Sequence, residues 1–162
     1  MPKVFRPCAG AIVFNRCGLI LLGNRIDCSV NAWQFPQGGI EEDETLESAA
    51  QRELFEETSI KSVQIVSSSQ HSLCYEFPEN VKNIFLRRGI ISDGQSIGFT
   101  LFYFLGDDSE INVQTEHPEF KDYCWASFDF AVNNVIGFKR DVYLAAKNYF
   151  MPIITQYINR LP

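Results

Sequence analysis

Short runs of apolar residues alternate with polar turns along most of this chain, and a few stretches repeat their apolar residues at helical spacing. Runs rich in Val, Ile, Phe and Tyr are typical of strands, whereas apolar positions three and four apart are typical of amphipathic helices. Strands are predicted over residues 8–15, 18–25, 63–69, 71–78, 97–106 and 122–128. Helices are predicted over residues 45–57, 129–135 and 140–149.

The order of these elements favours an α/β domain in which a sheet lies between helices. A turn at 16–18 joins the first two strands, and longer loops are expected over residues 25–33 and 81–96. Pro152 should end or kink the last helix, because proline lacks the amide hydrogen that a helix needs. The length suits a single domain over residues 1–162 with a substantial core.

Composition and charge narrow the classes of function. The formal net charge of −6 argues against a protein that coats nucleic acid with a broad basic surface. The five cysteines are widely spaced without a C-x-x-C pair, which predicts free thiols in a reducing cytoplasm. No apolar run approaches the ~20 residues of a membrane span, and the N-terminus lacks the apolar stretch of a signal peptide.

An acidic helix is the strongest chemical signal in the sequence. At about 100° per residue, Glu56 and Glu57 fall within roughly 60° of Glu53, on the same stripe as Leu46 and Ala50. That stripe predicts an inward face, where three like charges are unfavourable unless something cancels them. A divalent cation such as Mg²⁺ or Mn²⁺ would do so, because these ions prefer carboxylate oxygens.

The alternative is a solvated acidic face paired with basic residues. That reading predicts Lys or Arg four residues beyond each glutamate, and only Lys61 lies four beyond Glu57. Arg52 precedes Glu56 by four residues and could orient it. Gly38 and the glycine after it, following Pro36, predict a sharp turn that would bring main-chain groups close to the metal.

The segment from Gly38 to Ile60 resembles the Nudix box, whose pattern is G-x5-E-x7-R-E-U-x-E-E-x-G-U with U a bulky apolar residue. The matching residues are Gly38, Glu44, Arg52, Glu53, Leu54, Glu56, Glu57 and Ile60. Ser59 departs from the pattern, which has glycine there. That position is a helix C-terminal turn that is often left-handed, so serine should cost on the order of 1 kcal/mol of strain. The resemblance implies the Nudix fold, an α/β/α sandwich with a mixed central sheet.

Further pieces resemble the bacterial branch of this family that acts as RNA 5′-pyrophosphohydrolase, also described as dinucleoside polyphosphate hydrolase. These pieces are "WQFPQGGI", "ELFEE", "INVQT", "PEF" and "FKRDVY", in order along nearly the whole chain. Departures from that branch are the acidic "IEEDE" in place of a Pro-Gly turn and the two longer loops over 25–33 and 81–96. Loops near a site often set substrate choice, so these departures bear on substrate more than on reaction.

The resemblance also implies roles for individual residues. The three glutamates of the helix, together with Gly38 and Glu119 from a distant loop, match the family's metal and catalytic positions. Arg6 matches a residue that contacts phosphate. The residues that match positions holding the 5′-terminal bases are Tyr75, Ile136, Phe138 and Lys139. His71 and His117 match no catalytic position and are interpreted as surface or strand residues.

The implied activity is metal-dependent hydrolysis of a phosphoric anhydride, with Mg²⁺ or Mn²⁺ as cofactor. Triphosphorylated RNA 5′ ends and dinucleoside polyphosphates are both expected substrates, and the sequence does not rank them. A different class of function, a Nudix-fold sensor that binds a nucleotide without cutting it, stays open. The complete set of glutamates favours the enzyme, because a pure binder has no need of a complete metal site.

Overall fold

The computed structural model describes residues 2–162; the predicted domain begins at residue 1, which lies outside the described residues. Eight strands form one sheet, and the predicted strands all appear in it with shifted ends. The strands are β1 Phe5–Phe14, β2 Ile20–Arg25, β3 Trp33–Gln34, β4 Gln37–Gly39, β5 Val63–Ser68, β6 Leu73–Glu76, β7 Gly94–Phe104 and β8 Phe120–Ala126. The helices are α1 Leu46–Thr58, α2 Glu79–Arg87, α3 Phe128–Asn134 and α4 Arg140–Asn159.

The sheet is mixed and is organised around one long parallel pair. β1 and β7 run parallel in continuous register from Phe5 opposite Gly94 to Phe14 opposite Tyr103. The main strand order is β3-β2-β1-β7-β5, and the remaining strands attach antiparallel, with β4 on β1, β6 on β7 and β8 on β2. Both central strands are almost entirely buried, which explains their near-continuous apolar runs.

Helices cover both faces of this sheet. On one face, α1 packs Ala50 and Leu54 against a cluster that includes Ala9 and Phe102 of the central strands. On the other face, α3 and α4 pack against a larger cluster built around residues such as Phe99. The predicted α/β/α sandwich with a mixed central sheet is therefore confirmed.

Local sequence signals define both ends of α1. Thr45 caps the N-terminus in a reciprocal pair of hydrogen bonds with Ser48, which satisfies main-chain amides that the first turn leaves free. Ser59 ends the helix with φ of 68°, so the predicted left-handed turn is confirmed. The Ser59 hydroxyl donates to the Asn112 carbonyl at 2.9 Å, which offsets part of the strain. Asp43, in the acidic turn before α1, also has φ of 68°.

Two predicted elements were wrong. The segment 81–96 is not a loop, because α2 occupies Glu79–Arg87 and β7 begins at Gly94. Val81 and Phe85 pack against the core at helical spacing, a signal obscured by the exposed apolar residues Ile84 and Leu86 on either side of Phe85.

The last helix does not end near Tyr149. It continues through Pro152 to Asn159 because Phe150 and Ile154, on either side of the proline, are fully buried. Tertiary packing thus outweighs the hydrogen bond that Pro152 cannot make. Among residues 2–162, no helix combines the length and the apolar character that crossing a bilayer requires.

Candidate active site

The site is an open cavity of about 480 Å³ beside α1. One wall is the helix, and the other is the segment that leads into β8. The cavity is lined by Glu53, Phe55, Glu56, Glu57, Ser59, Thr115, Glu116, His117 and Glu119. Five of these nine side chains are carboxylates and none is Lys or Arg, so the cavity is strongly acidic.

Glu57 is the most deeply buried of the three helix glutamates, with 5% of the residue exposed. Its Oε2 accepts a hydrogen bond from the main-chain N–H of Gln37 at 3.1 Å, which ties α1 to β4. Burial raises the pKa of Glu57 well above its ordinary value, and the charges of Glu53 and Glu119 raise it further. A cation beside this carboxylate would relieve both effects.

Glu53 lies against the glycines of strand β4. A Cβ on Gly38 would lie 2.1 Å from Oε1 of Glu53, so only glycine allows this approach. The Glu53 side chain is 13% exposed, and burial raises its pKa although Arg52 opposes that effect. The predicted close contact between the glycines and the acidic helix is present, but the predicted sharp turn is wrong. Gly38 and Gly39 lie in the extended strand β4, because their main chain pairs antiparallel with β1.

Arg52 is the centre of an ion-pair network. Its guanidinium donates to Glu44 at 2.8 and 2.9 Å, to the Gly39 carbonyl at 2.9 Å and to Glu53 at 2.8 Å. The bidentate bond with Arg52 lowers the pKa of Glu44 to about 2. Arg52 and Glu44 therefore brace the turn against the helix, which gives both residues of the box a structural role.

The prediction that all three glutamates face inward is wrong for Glu56. Its side chain is 54% exposed and lies 3.3 Å from Arg52 Nη1, the partner that the spacing of four residues indicated. Glu56 nevertheless lines the cavity. The helical stripe is about 120° wide, and only its centre is covered by β4, so its edge remains in solvent.

Glu119 comes from the distant segment and lines the same cavity as the helix glutamates. Its main-chain carbonyl accepts from the Ile26 amide at 2.9 Å. The next residue, Phe120, is buried and packs on Gly23, where a Cβ would lie 2.3 Å from the Phe120 ring. This anchor leaves the exposed Glu119 side chain free to point into the cavity.

The donor set suits a divalent cation. Four carboxylates predicted to bind metal share one cavity, and hard oxygen donors are the ligands that Mg²⁺ and Mn²⁺ prefer. Across residues 2–162, no three His, Cys, Asp or Glu side chains are already arranged to hold an ion. Glu53 and Glu56 are instead paired with Arg52, so holding a cation requires these side chains to turn from Arg52 into the cavity.

Arg6 lies beside the glycines of β4. A Cβ on Gly39 would lie 2.4 Å from Nη2 of Arg6, which places a guanidinium next to the box. Arg6 is opposite Gln95 across the β1–β7 pair, and Gln95 is opposite Tyr75 across the β6–β7 pair. The residues predicted to contact phosphate and base thus form a row across one end of the sheet.

The four residues predicted to hold bases lie together, but two of them are buried. Tyr75 is 7% exposed, donates to Gln95 and has its ring 5.8 Å from that of Phe138. Lys139 is 4% exposed, and its Nζ lies 5.8 Å from the Tyr75 ring and 3.3 Å from Gln34 Oε1. Ile136 and Phe138 are half-buried, so this pocket is partly closed by its own side chains.

Lys139 is an uncommon buried cation. Burial, with a smaller contribution from the charge of Arg25, lowers its pKa to about 7. Its one hydrogen bond within the described chain goes to the neutral Gln34. A hydrogen-bond acceptor on a bound ligand would stabilise the protonated ammonium.

Some lining residues were not predicted. His117 is exposed, as expected of a surface residue, but it lines the cavity next to Glu116. The Thr115 hydroxyl is buried without a hydrogen-bond partner in residues 2–162, and it also lines the cavity. The closeness of both residues to Glu119 in the sequence was the signal that could have identified them.

A mixed sheet between helices, with a glycine-containing strand packed on an acidic helix, defines a Nudix-type hydrolase. The chain belongs to the NUDIX family, since the family model described as "NUDIX domain" matches residues 4–145. Nudix hydrolases generally use divalent metal ions. The predicted enzyme class is confirmed, and the alternative of a non-catalytic sensor is not supported.

Relatives of known name cover almost the whole chain. An RNA pyrophosphohydrolase of Wolbachia pipientis subsp. Culex pipiens is 41% identical over 153 residues, 94% of this chain and 93% of that protein. An RNA pyrophosphohydrolase of Roseobacter denitrificans is 40% identical over 149 residues, 90% of this chain and 91% of that protein.

Solved structures share the fold at lower identity. The E. coli dihydroneopterin triphosphate pyrophosphohydrolase has a TM-score of 0.70 at 18% identity, covering 93% of this chain and 99% of that chain. A C. elegans Ap4A hydrolase has a TM-score of 0.64 at 17% identity, covering 91% of this chain and 98% of that chain.

Proposed function

We propose that this protein is a metal-dependent pyrophosphohydrolase that removes pyrophosphate from the 5′ end of triphosphorylated RNA. Dinucleoside polyphosphates are a second class of substrate for the same site. The observation that carries the proposal is the gathering of Glu53, Glu56, Glu57 and Glu119 in one cavity. The names of the relatives at 40–41% identity support RNA as substrate.

The cofactor in this proposal is Mg²⁺ or Mn²⁺, held by the four carboxylates and a main-chain group at Gly38. Such an ion supplies charge neutralisation of the phosphate chain and a lowered pKa for water. The acidic cavity and the anionic substrate are compatible for this reason, because bound cations invert the local sign of charge.

The residues of the chain divide the remaining work. Arg6, at the cavity side of the row across the sheet, contacts phosphate oxygens and orients the polyphosphate. Glu119 takes a proton from the attacking water, whose oxygen bonds to phosphorus as the anhydride bond to pyrophosphate breaks. Glu57, fixed by the Gln37 amide, keeps the acidic helix in place during the reaction.

The base-binding residues supply specificity in this proposal. Phe138 and Tyr75 offer ring faces for a 5′-terminal base, and Lys139 offers a donor for a base-edge acceptor. The side chains of Tyr75 and Lys139, which are buried in this structure, must shift when a base enters. Such a shift is compatible with half-buried Ile136 and Phe138, which form the outer wall of the pocket.

We also propose that the protein works in the cytoplasm. All five cysteines lie within residues 2–162 and are free thiols, which suits a reducing compartment.

An assay panel tests the proposed function. Purified protein with Mg²⁺ or Mn²⁺ is offered triphosphorylated RNA, diadenosine tetraphosphate and a nucleoside diphosphate sugar. We expect pyrophosphate release from the RNA and slower or comparable cleavage of diadenosine tetraphosphate. Preferred cleavage of the sugar nucleotide, with intact RNA ends, would overturn the proposal.

A further inference from the structure

The helix α2 presents an apolar surface to solvent. Val81 and Phe85 face the core, but Leu86 is 58% exposed, and Ile91 in the following turn is 78% exposed. Ile84 is also exposed. Three large aliphatic side chains exposed within residues 84–91 are available for apolar contact with a ligand.

The same segment is locally basic. Residues 79–91 carry Lys82, Arg87 and Arg88 against a single acidic residue, Glu79, a net charge of +2 in a chain whose net charge is −6. Lys82 is paired with Asp93 at 3.4 Å. Within residues 2–162, Arg87 and Arg88 are exposed and form no ion pair, so both guanidinium groups are available to a ligand.

Aromatic rings connect this segment to the predicted base-binding residues. The Phe138 ring lies 6.1 Å from that of Phe77, and Phe77 stacks on Phe85 of α2 at 4.7 Å with an interplanar angle of 7°. Tyr75 joins the other side of Phe138 at 5.8 Å. The base-binding residues and α2 therefore pack against each other through the buried Phe77 ring, so α2 lies next to the base-binding residues.

The register of the sheet gives this surface a direction. Arg6 lies at the glycines of β4 beside the acidic cavity, opposite Gln95, which is opposite Tyr75. Each step between strands is about 4.8 Å. A ligand with its 5′ phosphates at the cavity and its first bases at Phe138 would continue toward α2.

We infer that α2 and the turn after it, residues 79–91, bind the RNA chain downstream of its first two nucleotides. Arg87 and Arg88 contact the phosphates, and the exposed Ile84, Leu86 and Ile91 contact the faces of unpaired bases. This inference rests on the proposed function and deepens it. A dinucleoside polyphosphate has no downstream chain, so this surface favours RNA over that substrate.

The helix dipole accounts for only part of the observation. Basic residues at a helix C-terminus stabilise the helix, and Arg87 lies in the last turn of α2. That effect does not explain the exposed aliphatic residues or the position of α2 next to the base-binding residues. A structural role also predicts a change in stability, whereas binding of RNA predicts a change in KM that depends on RNA length.

The test compares the wild type with the double variant Arg87→Glu/Arg88→Glu on two RNA substrates. One is a triphosphorylated dinucleotide, and the other is a longer, unstructured triphosphorylated oligonucleotide. The matched control is Arg16→Glu/Arg160→Glu, which makes the same charge change at exposed sites. Arg16 follows the end of β1 at Phe14, about 30 Å along the strands from Phe5.

For the wild type we expect a lower KM on the longer RNA than on the dinucleotide. The double variant should raise KM on the longer RNA about tenfold and make its salt dependence shallower by ~1.4 in log–log slope. It should leave KM on the dinucleotide and on diadenosine tetraphosphate unchanged, and it should lower the melting temperature only slightly, through the loss of positive charge at the helix C-terminus. The control should leave KM on every substrate unchanged.

Equal KM values on both RNAs, unaffected by the double variant, would overturn the inference while leaving the proposed function intact. So would an equal loss on the dinucleotide and the longer RNA, which would point to a structural or protein-binding role for α2. Failure of the wild type to cleave even the dinucleotide would overturn the proposed function itself, and the inference with it.

Discussion

Replacing Glu57 by Gln separates the stability of the site from its chemistry. Glu57 is nearly fully buried, and its carboxylate has one hydrogen bond, from the Gln37 amide. Glutamine keeps the shape and can still accept that bond through its amide oxygen. The substitution removes a buried charge that Glu53 and Glu119 repel.

In the metal-free protein, Glu57→Gln should therefore raise the free energy of unfolding by about 1–2 kcal/mol. A change of that size raises the melting temperature of a domain of this length by several degrees. In excess Mg²⁺ the difference in the free energy of unfolding between the variant and the wild type should shrink or change sign. A cation at a hundred times its Kd stabilises the wild type by about 2.7 kcal/mol, and the variant loses most of this gain.

Turnover should fall at least ~100-fold, because losing ~3 kcal/mol of transition-state stabilisation has that effect. Thermal melts with and without Mg²⁺, together with pyrophosphate release, check the three expectations. Glu42→Gln is the matched control, since Glu42 is exposed and lies outside the cavity. Near-normal turnover with Mg²⁺, or a metal-free variant less stable than the control, would refute the reasoning.

Substitutions at four further positions test the contacts and burial of the site and of the end of α1. Glu119→Ala should lower kcat strongly with little change in melting temperature, because the side chain is exposed, and higher pH should partly rescue a lost general base. Phe138→Ala should lower kcat/KM on RNA ends about ten- to a hundredfold, and more than on a polyphosphate lacking a second base; an equal loss on both would make it a packing residue. Burial lowers the pKa of Lys139 from 10.5 to about 7. Between about pH 7 and pH 10.5 the unfolded chain therefore binds the Lys139 proton more tightly than the folded protein does, so the stability of the wild type rises with pH over this range. The stability advantage of Lys139→Met over wild type, measured by chemical denaturation, should therefore shrink from about pH 6 to about pH 9, and a constant advantage would contradict the buried-cation account. Ser59→Ala should destabilise the protein by about 1 kcal/mol, since it keeps the left-handed strain and loses the bond to Asn112, whereas Ser59→Gly should be nearly neutral.

The box could be interpreted from sequence because each of its positions has a local reason. Gly38 is needed for close approach, Arg52 braces the turn through Glu44, and Ser59 occupies a left-handed helix end. None of these reasons depends on distant parts of the chain. The helix and its contact with the glycines therefore appear where the pattern indicated, whereas the predicted sharp turn at Gly38 is part of the strand β4.

Features that depend on the tertiary structure were less predictable. A helical stripe gives the direction of Glu56 but not how far β4 extends over it, so its exposure could not be predicted. The continuation of α4 through Pro152 could not be predicted either, because it depends on the burial of Phe150 and Ile154 against the rest of the core. The helix α2 was missed because its exposed Ile84 and Leu86 obscure the helical period. The contact that orders it comes from outside the helix, where Phe77 stacks on Phe85.

The most direct test of the central claim is the fate of a triphosphorylated RNA 5′ end incubated with this protein and a divalent cation. We predict that Mg²⁺ or Mn²⁺ supports release of pyrophosphate and leaves a 5′-monophosphorylated RNA, and that a chelator or Glu57→Gln abolishes the release. An RNA end that stays triphosphorylated with both cations, or pyrophosphate release that persists in chelator, would contradict the account.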